Sequence, residues 1–190
     1  MIVAPAGCHA SNGLFTWGWA IQLYAARSRR SWGIGDLSDL RWLGRLARGQ
    51  GAGIALINPL TAVAPTLPQQ ASPYFPSSRR FRNPLYLRIE EVDGARETGG
   101  ITEIARTARR LNRDRLIDRD RVFEAKSKAL ESIWRTVRTR PDAAFDGFVR
   151  DQAGLQEFGT FCALAERFGA SWRQLRMKVQ SKAMTTTDSI

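Results

Sequence analysis

Apolar residues follow two different periods along the first sixty positions. Residues 17–24 (WGWAIQLY) alternate and are rich in aromatic and β-branched side chains, which favours a strand. Residues 54–58 (IALIN) form a short apolar run, typical of a strand buried on both faces of a parallel sheet. Between them Asp36 is placed to cap a helix, Asp39 favours its first turn, and Trp42 lies beside one apolar stripe. The stripe contains Leu37, Leu40, Leu43 and Leu46. This order predicts a βαβ unit with a right-handed crossover.

The stretch from residue 58 to residue 86 has no apolar period of 2 or 3.6 residues. It holds six of the eight prolines, which predicts a long irregular loop with restricted φ angles. Four aromatic residues argue against disorder: Tyr74, Phe75, Phe81 and Tyr86. Residues 85–89 are predicted to form a further short extended segment. Because ligands lie at the carboxyl ends of parallel strands, this loop and residues 25–36 are expected to border a site.

Beyond Glu90 the pattern becomes helical. Amphipathic helices are predicted over residues 101–112, 119–138 and 155–168, with Pro141 as a break. The predicted apolar faces are Phe123, Leu130, Trp134 and Val137 in the second helix and Leu155, Phe158, Cys162, Ala165 and Phe168 in the third. These helices predict an inserted helical subdomain, and residues 177–190 follow as an unpatterned tail.

Charge adds an alternative hypothesis. The net charge is +11, and subtracting the four lysines from 29 basic residues leaves 25 arginines, which fits a nucleic-acid binder. The arginines are dispersed, however, and no nucleic-acid-binding motif accompanies them, which favours solvated helix faces. No apolar run is long enough for a membrane span and no signal peptide is recognised, so a cytoplasmic location is expected. Cys8, Cys162 and His9 are too few for a disulfide framework or a zinc site.

Three segments together resemble a known family. GWAIQLYAARSRRSWGIGD, then INPL, then ASPYFPSSRRFRNPLYL look like the 4-α-glucanotransferases of the amylomaltase type. The later segment DGFVRDQAGLQEFGTFCALAERFGASWRQL is similar to their inserted helical subdomain. The likeness runs in order from about Val3 to Leu175.

The resemblance implies an α/β fold, namely an incomplete (β/α)8 TIM barrel that begins with one βαβ unit and carries an all-helical insertion. Residues 1–16 would be a linker remnant after a missing N-terminal domain. Residues 17–94 would be the first βαβ part with its proline-rich loop, and residues 95–176 the helical subdomain. The implied partner is an α-1,4-glucan or maltooligosaccharide, within glycogen or maltodextrin metabolism, with no cofactor, nucleic acid or membrane.

The implied reaction is retaining glycosyl transfer, which needs a nucleophilic carboxylate and an acid/base carboxylate roughly 5 Å apart. In the family these groups lie on later barrel strands. We expect Asp36 and Asp39 to serve the helix terminus, and Glu90, Glu91 and Asp93 to lie in a surface turn. No catalytic residue is therefore assigned, and this chain alone is expected to be inactive.

The resemblance also implies which residues of this sequence form one wall of the sugar site. Tyr74, in the motif SPY, matches a tyrosine that borders the scissile-bond subsites, and Trp32 is a second stacking candidate. Ser72 and Asn83 are the polar candidates for substrate binding. Arg79 and Arg80 are expected to brace the loop, whereas Thr61 and Gln70 stand where many members have histidine. A non-catalytic glucan-binding module remains the other alternative.

Overall fold

The computed structural model describes residues 15–171, together with Gly7, and combines short strands with helices. The unpatterned tail predicted at residues 177–190 and the residues Cys8 and His9 lie outside this part. The strands are β1 (Gly18–Ile21), β2 (Ile54–Ile57), β3 (Thr61–Ala62) and β4 (Ser78–Arg82). The helices are α1 (Leu37–Gly49), α2 (Ile101–Arg109), α3 (Arg119–Val137), α4 (Ala143–Asp151) and α5 (Leu155–Phe168).

The predicted βαβ unit is present. Strands β1 and β2 pair in parallel, with Gly18 opposite Ile54 and Ile21 opposite Ile57, and α1 connects them. The Asp36 carboxylate accepts hydrogen bonds from the amides of Ser38 and Asp39, and the Asp39 carboxylate accepts one from the Asp36 amide. This reciprocal capping box fixes the start of α1, as the position of Asp36 predicted.

Strand β2 differs from the prediction that both of its faces are buried. Leu56 is 68% exposed and Ile54 is 51% exposed. Within residues 15–171 only β1 pairs with β2, so the apolar side chains of β2 lack a second layer. The apolar stripe of α1 is also partly open, with Leu37, Leu46 and Trp42 exposed.

The segment predicted as one long irregular loop contains an antiparallel strand pair. Strand β3 pairs with β4, placing Thr61 opposite Arg82. The prediction of an extended segment at residues 85–89 is wrong, because two 3-10 turns lie at Pro84–Tyr86 and Ile89–Glu91. Pro84 favours the first turn with its fixed φ, and the Asn83 carboxamide caps it by accepting from the Leu85 amide at 3.0 Å.

The main core lies between α2, α3 and the segment before them. Trp32, Ile89, Ala105 and Ile133 are buried together there. The buried face of α3 consists of Val122, Lys126, Ala129 and Ile133. This corrects the predicted face, because Trp134 is half exposed while Phe123, Leu130 and Val137 only pack at the edges.

Helix α5 packs against the β3–β4 strand pair. The predicted face of α5 is confirmed, since its five residues are buried or half-buried. Phe158 on this face stacks on Phe81 of β4 with ring centroids 4.5 Å apart. Helix α4 was not predicted, although Asp142 caps it by accepting from the Phe145 amide at 2.9 Å. No helix among the described residues has the length and apolar character that crossing a membrane requires.

Candidate functional site

The proline-rich loop is closed at its base by the β3–β4 pair. Beyond the strands, the Ser77 amide donates to the Ala62 carbonyl and the Asn83 amide donates to the Leu60 carbonyl, both at 2.9 Å. These bonds therefore fix both ends of the loop formed by residues 63–77.

Gln69 holds the loop from inside. Its side chain is buried, and Nε2 donates to the carbonyl oxygens of Ala64 at 3.3 Å and Thr66 at 2.8 Å. Its backbone amide donates to Oδ1 of Asp120 at 2.7 Å, in the first turn of α3. The loop is thus fastened both to itself and to the helical part of the chain.

The tip of the loop presents Tyr74. Ser72 organises the turn, because its Oγ accepts from the Tyr74 amide at 3.3 Å and its carbonyl accepts from the Phe75 amide at 3.4 Å. Tyr74 is 60% exposed, so its ring and hydroxyl are open to a ligand. Its neighbour Phe75 is 73% exposed and adds a second aromatic ring, which the sequence analysis did not select as a ligand contact.

Trp32 lies elsewhere. It is 1% exposed within the main core, and its Nε1 donates to Oε1 of Glu90 at 3.0 Å. No face of this ring is open to a sugar, so the expected stacking role is replaced by a packing role. A large aromatic ring with a buried polar partner is well suited to that role.

The remaining candidates shape the tip and one end of the loop. Asn83 uses its Oδ1 to cap the turn that follows β4, and Ser72 forms the tip turn. Arg80 donates to the carbonyl of Ala153 at 2.9 Å, which confirms its bracing role, while Arg79 is exposed. Gln70 accepts from the Ser72 amide at 3.1 Å through Oε1.

A buried charge cluster joins the start of α1 to the segment that follows the proline-rich loop. Arg88 lies 2.7 Å from Oδ2 of Asp36 through Nε and 3.0 Å from Oδ1 of Asp39 through Nη2. The Ser31 hydroxyl donates to Asp39 Oδ2 at 2.6 Å. No local pattern predicts this cluster, because Arg88 is one of many arginines in the sequence and only tertiary contacts distinguish it.

Lys126 of α3 completes the cluster. Its Nζ donates to the carbonyl oxygens of Leu85 at 2.6 Å and Leu87 at 2.8 Å. Burial lowers its pKa to about 8, while the nearby carboxylates of Asp36, Glu90 and Asp39 oppose that shift. α3 therefore anchors the segment that follows the proline-rich loop.

The nearby carboxylates have structural partners. Burial, followed by the charge of Asp39, raises the pKa of Asp36. Burial also acts to raise the pKa of Glu90, but hydrogen bonds from its own backbone, Trp32 and Arg109 outweigh that effect and lower it. The expectation that Glu90 lies in a surface turn is thus corrected, since its side chain is half-buried against Arg109.

Glu91 does lie at the surface, where it pairs with Arg41 and accepts from the Ser38 hydroxyl. These hydrogen bonds lower the pKa of Glu91. Within residues 15–171 no group of three or more His, Cys, Asp or Glu residues is arranged to hold a metal ion.

Comparison with known proteins gives the family. The family model described as 4-alpha-glucanotransferase matches residues 21–189. The 4-alpha-glucanotransferases of Mycobacterium bovis and Mycobacterium tuberculosis are each 43% identical over 173 residues, covering 83% of this chain and 24% of the relative. That of Haemophilus influenzae is 49% identical over 76 residues, covering 40% of this chain and 11% of its own length.

A solved structure of the same kind of enzyme also matches this chain. The crystal structure of amylomaltase from Corynebacterium glutamicum matches with a TM-score of 0.69 and 34% identity, over 77% of this chain and 22% of that one. This chain thus spans about a quarter of the length of the mycobacterial relatives. Because the family model matches most of its residues, the chain belongs to the 4-alpha-glucanotransferase family.

Proposed function

We propose that this chain forms one wall of the glucan site of a 4-α-glucanotransferase. The reaction transfers a segment of an α-1,4-glucan to a new 4-position on a sugar acceptor, with retention at the anomeric carbon. In this proposal residues 17–94 are the first βαβ part of a (β/α)8 barrel and residues 95–176 are its helical subdomain. Family membership and the open apolar face of β2 support it, because further strands would cover Ile54 and Leu56.

The main supporting observation is the exposed Tyr74 ring on a braced loop. An aromatic ring can lie against the apolar face of a glucose unit while its hydroxyl bonds a sugar oxygen. The loop is anchored before any ligand binds, so less ordering entropy opposes binding. Ser72 and Asn83 hold the loop in shape in this proposal, and Tyr74 makes the sugar contact.

In this proposal the chain supplies one wall of the glucan site but not the two catalytic carboxyl groups. A retaining mechanism needs two carboxyl groups about 5 Å apart that flank the scissile bond. The carboxylates of Asp36 and Asp39 both pair with Arg88, and both residues are almost fully buried. Neither carboxylate is therefore open to a scissile bond. We infer that this polypeptide alone does not cleave glucan.

Calorimetric titration of the chain with maltoheptaose tests the binding proposal. Tyr74→Ala should weaken binding by roughly two- to tenfold, because one stacked aromatic contact contributes about 0.5–1.5 kcal/mol beyond its buried area. Phe148→Ala is the matched control, since Phe148 is also exposed but lies on α4. Equal affinity of Tyr74→Ala and the unmodified chain would contradict the assignment of Tyr74.

A further inference from the structure

A small cavity lies under the loop that carries Tyr74. Its volume is about 20 Å³, and its lining includes Thr61, Gln69, Gln70, Asn83, Tyr86 and Arg119. Pro73, the residue before Tyr74, also lines it. A water molecule needs a cavity of at least about 10–15 Å³, so this space is large enough for one hydroxyl-sized group.

Two of the residues that line this cavity each carry a buried side-chain oxygen without a partner. Among the described residues, neither Oγ1 of Thr61 nor Oε1 of Gln69 has a hydrogen-bond partner. Gln69 is only 7% exposed, and its Nε2 is already engaged with two carbonyl oxygens. A buried polar atom without a partner is costly, and native proteins rarely leave one unsatisfied.

We propose that this cavity is a binding site for a single hydroxyl group. Gln69 Oε1 can only accept a hydrogen bond, whereas the Thr61 hydroxyl can both donate and accept. The occupant must therefore donate to Gln69, and it can exchange either kind of bond with Thr61. A water molecule and a hydroxyl of a bound sugar both meet this requirement.

The two sources have different consequences. A resident water would hold the Tyr74 loop in shape in the absence of ligand. A sugar hydroxyl would instead make Thr61 and Gln69 part of the substrate contact, and that version rests on the proposed function. The water version does not depend on it.

Thr61→Val distinguishes the possibilities, because valine keeps the shape and the β-branch but lacks the hydroxyl. If a water is bound, the variant loses a hydrogen bond, and its unfolding equilibrium constant in urea without sugar should rise roughly two- to tenfold. If a sugar hydroxyl is the occupant, the variant should be no less stable without sugar but should bind maltotriose about tenfold more weakly. Thr102→Val, at an exposed position of α2, is the control and should change neither quantity.

The proposal is overturned if Thr61→Val is as stable as the unmodified chain or more stable, and its maltotriose affinity is unchanged or absent in both proteins. If neither protein binds maltotriose but the variant is less stable, the proposed function fails while the water site stands. Should Thr61→Val not fold, a high-resolution crystal structure of the unmodified chain decides. Density within hydrogen-bond distance of both oxygens, in crystals grown without sugar or soaked with maltotriose, supports the site, and a cavity that is empty in both crystals refutes it.

Discussion

Lys126 is a lysine whose side chain is almost fully buried, at 1% exposure, and whose pKa is lowered. Its ammonium group is buried against two carbonyl oxygens, with Asp36, Asp39, Glu90 and Arg88 as its charged neighbours. Removing one member of such a cluster leaves the others without compensation. Lys126 therefore contributes to stability through its contacts, although its own charge is costly to bury.

The depressed pKa of Lys126 predicts a pH dependence of stability. The folded-state pKa is about 8 and the ordinary value is 10.5, so between these values the unfolded state binds more protons. Folding stability from this group therefore rises with pH across that window, by up to about 3 kcal/mol. Lys126→Met should lose this rise, whereas Lys128→Met, exposed on the same helix, should keep it.

Urea unfolding of the three proteins at pH 7, 8, 9 and 10 measures this difference. Burial raises the pKa of Tyr86, which destabilises the fold at high pH, but this effect is common to all three proteins. A parallel pH profile for Lys126→Met and the unmodified chain would refute the role assigned to the lysine.

At the scale of elements, α3 supports the proline-rich loop. Asp120 in its first turn accepts from the Gln69 amide, and Lys126, nearly two turns later, binds the segment after the loop. Both contacts cross the boundary proposed between residues 17–94 and 95–176. The helical part thus positions the loop that presents Tyr74.

Substitution at Asp120 tests this contact. Asp120→Ala removes the acceptor, so the Gln69 amide should exchange with solvent roughly fivefold faster, as expected for the loss of about 1 kcal/mol. Asp120→Asn is the matched control, since its side-chain oxygen can still accept the bond. The measurement is amide hydrogen exchange by NMR, and equal rates in all three proteins would exclude Asp120 as an anchor.

At the scale of the whole molecule, the open apolar face of the parallel strand pair matters most. Leu56 and Ile54 on β2 and Trp42 on α1 are exposed. Adjacent exposed apolar side chains of this kind are typical of a surface that another element or chain covers. The arginine excess carries less weight, because several arginines pair with carboxylates, including Arg88, Arg109 and Arg140. The family match does not favour the nucleic-acid hypothesis.

The structural roles of the carboxylates near the proline-rich loop predict that this polypeptide alone is inactive. The purified 190-residue chain should release no glucose from maltotriose, because its described carboxylates near the loop serve structural roles. Glucose is measured enzymatically, with the full-length glucanotransferase of a mycobacterial relative as the positive control. Sustained glucose release by this chain, at a rate that follows its concentration, would show that the catalytic pair is present in it.

Local patterns in the amino-acid sequence were enough to predict the parallel βαβ unit, the capping of α1, the face of α5 and the position of Tyr74 on a proline-stiffened loop. These features depend on local period, on caps and on proline geometry, which neighbouring residues fix. The folded chain was needed to show that Trp32 packs in the core, that β3 and β4 close the loop, and that Arg88 and Lys126 form a buried cluster. Those outcomes depend on contacts between residues far apart in the chain, whose desolvation and hydrogen bonding no local pattern encodes.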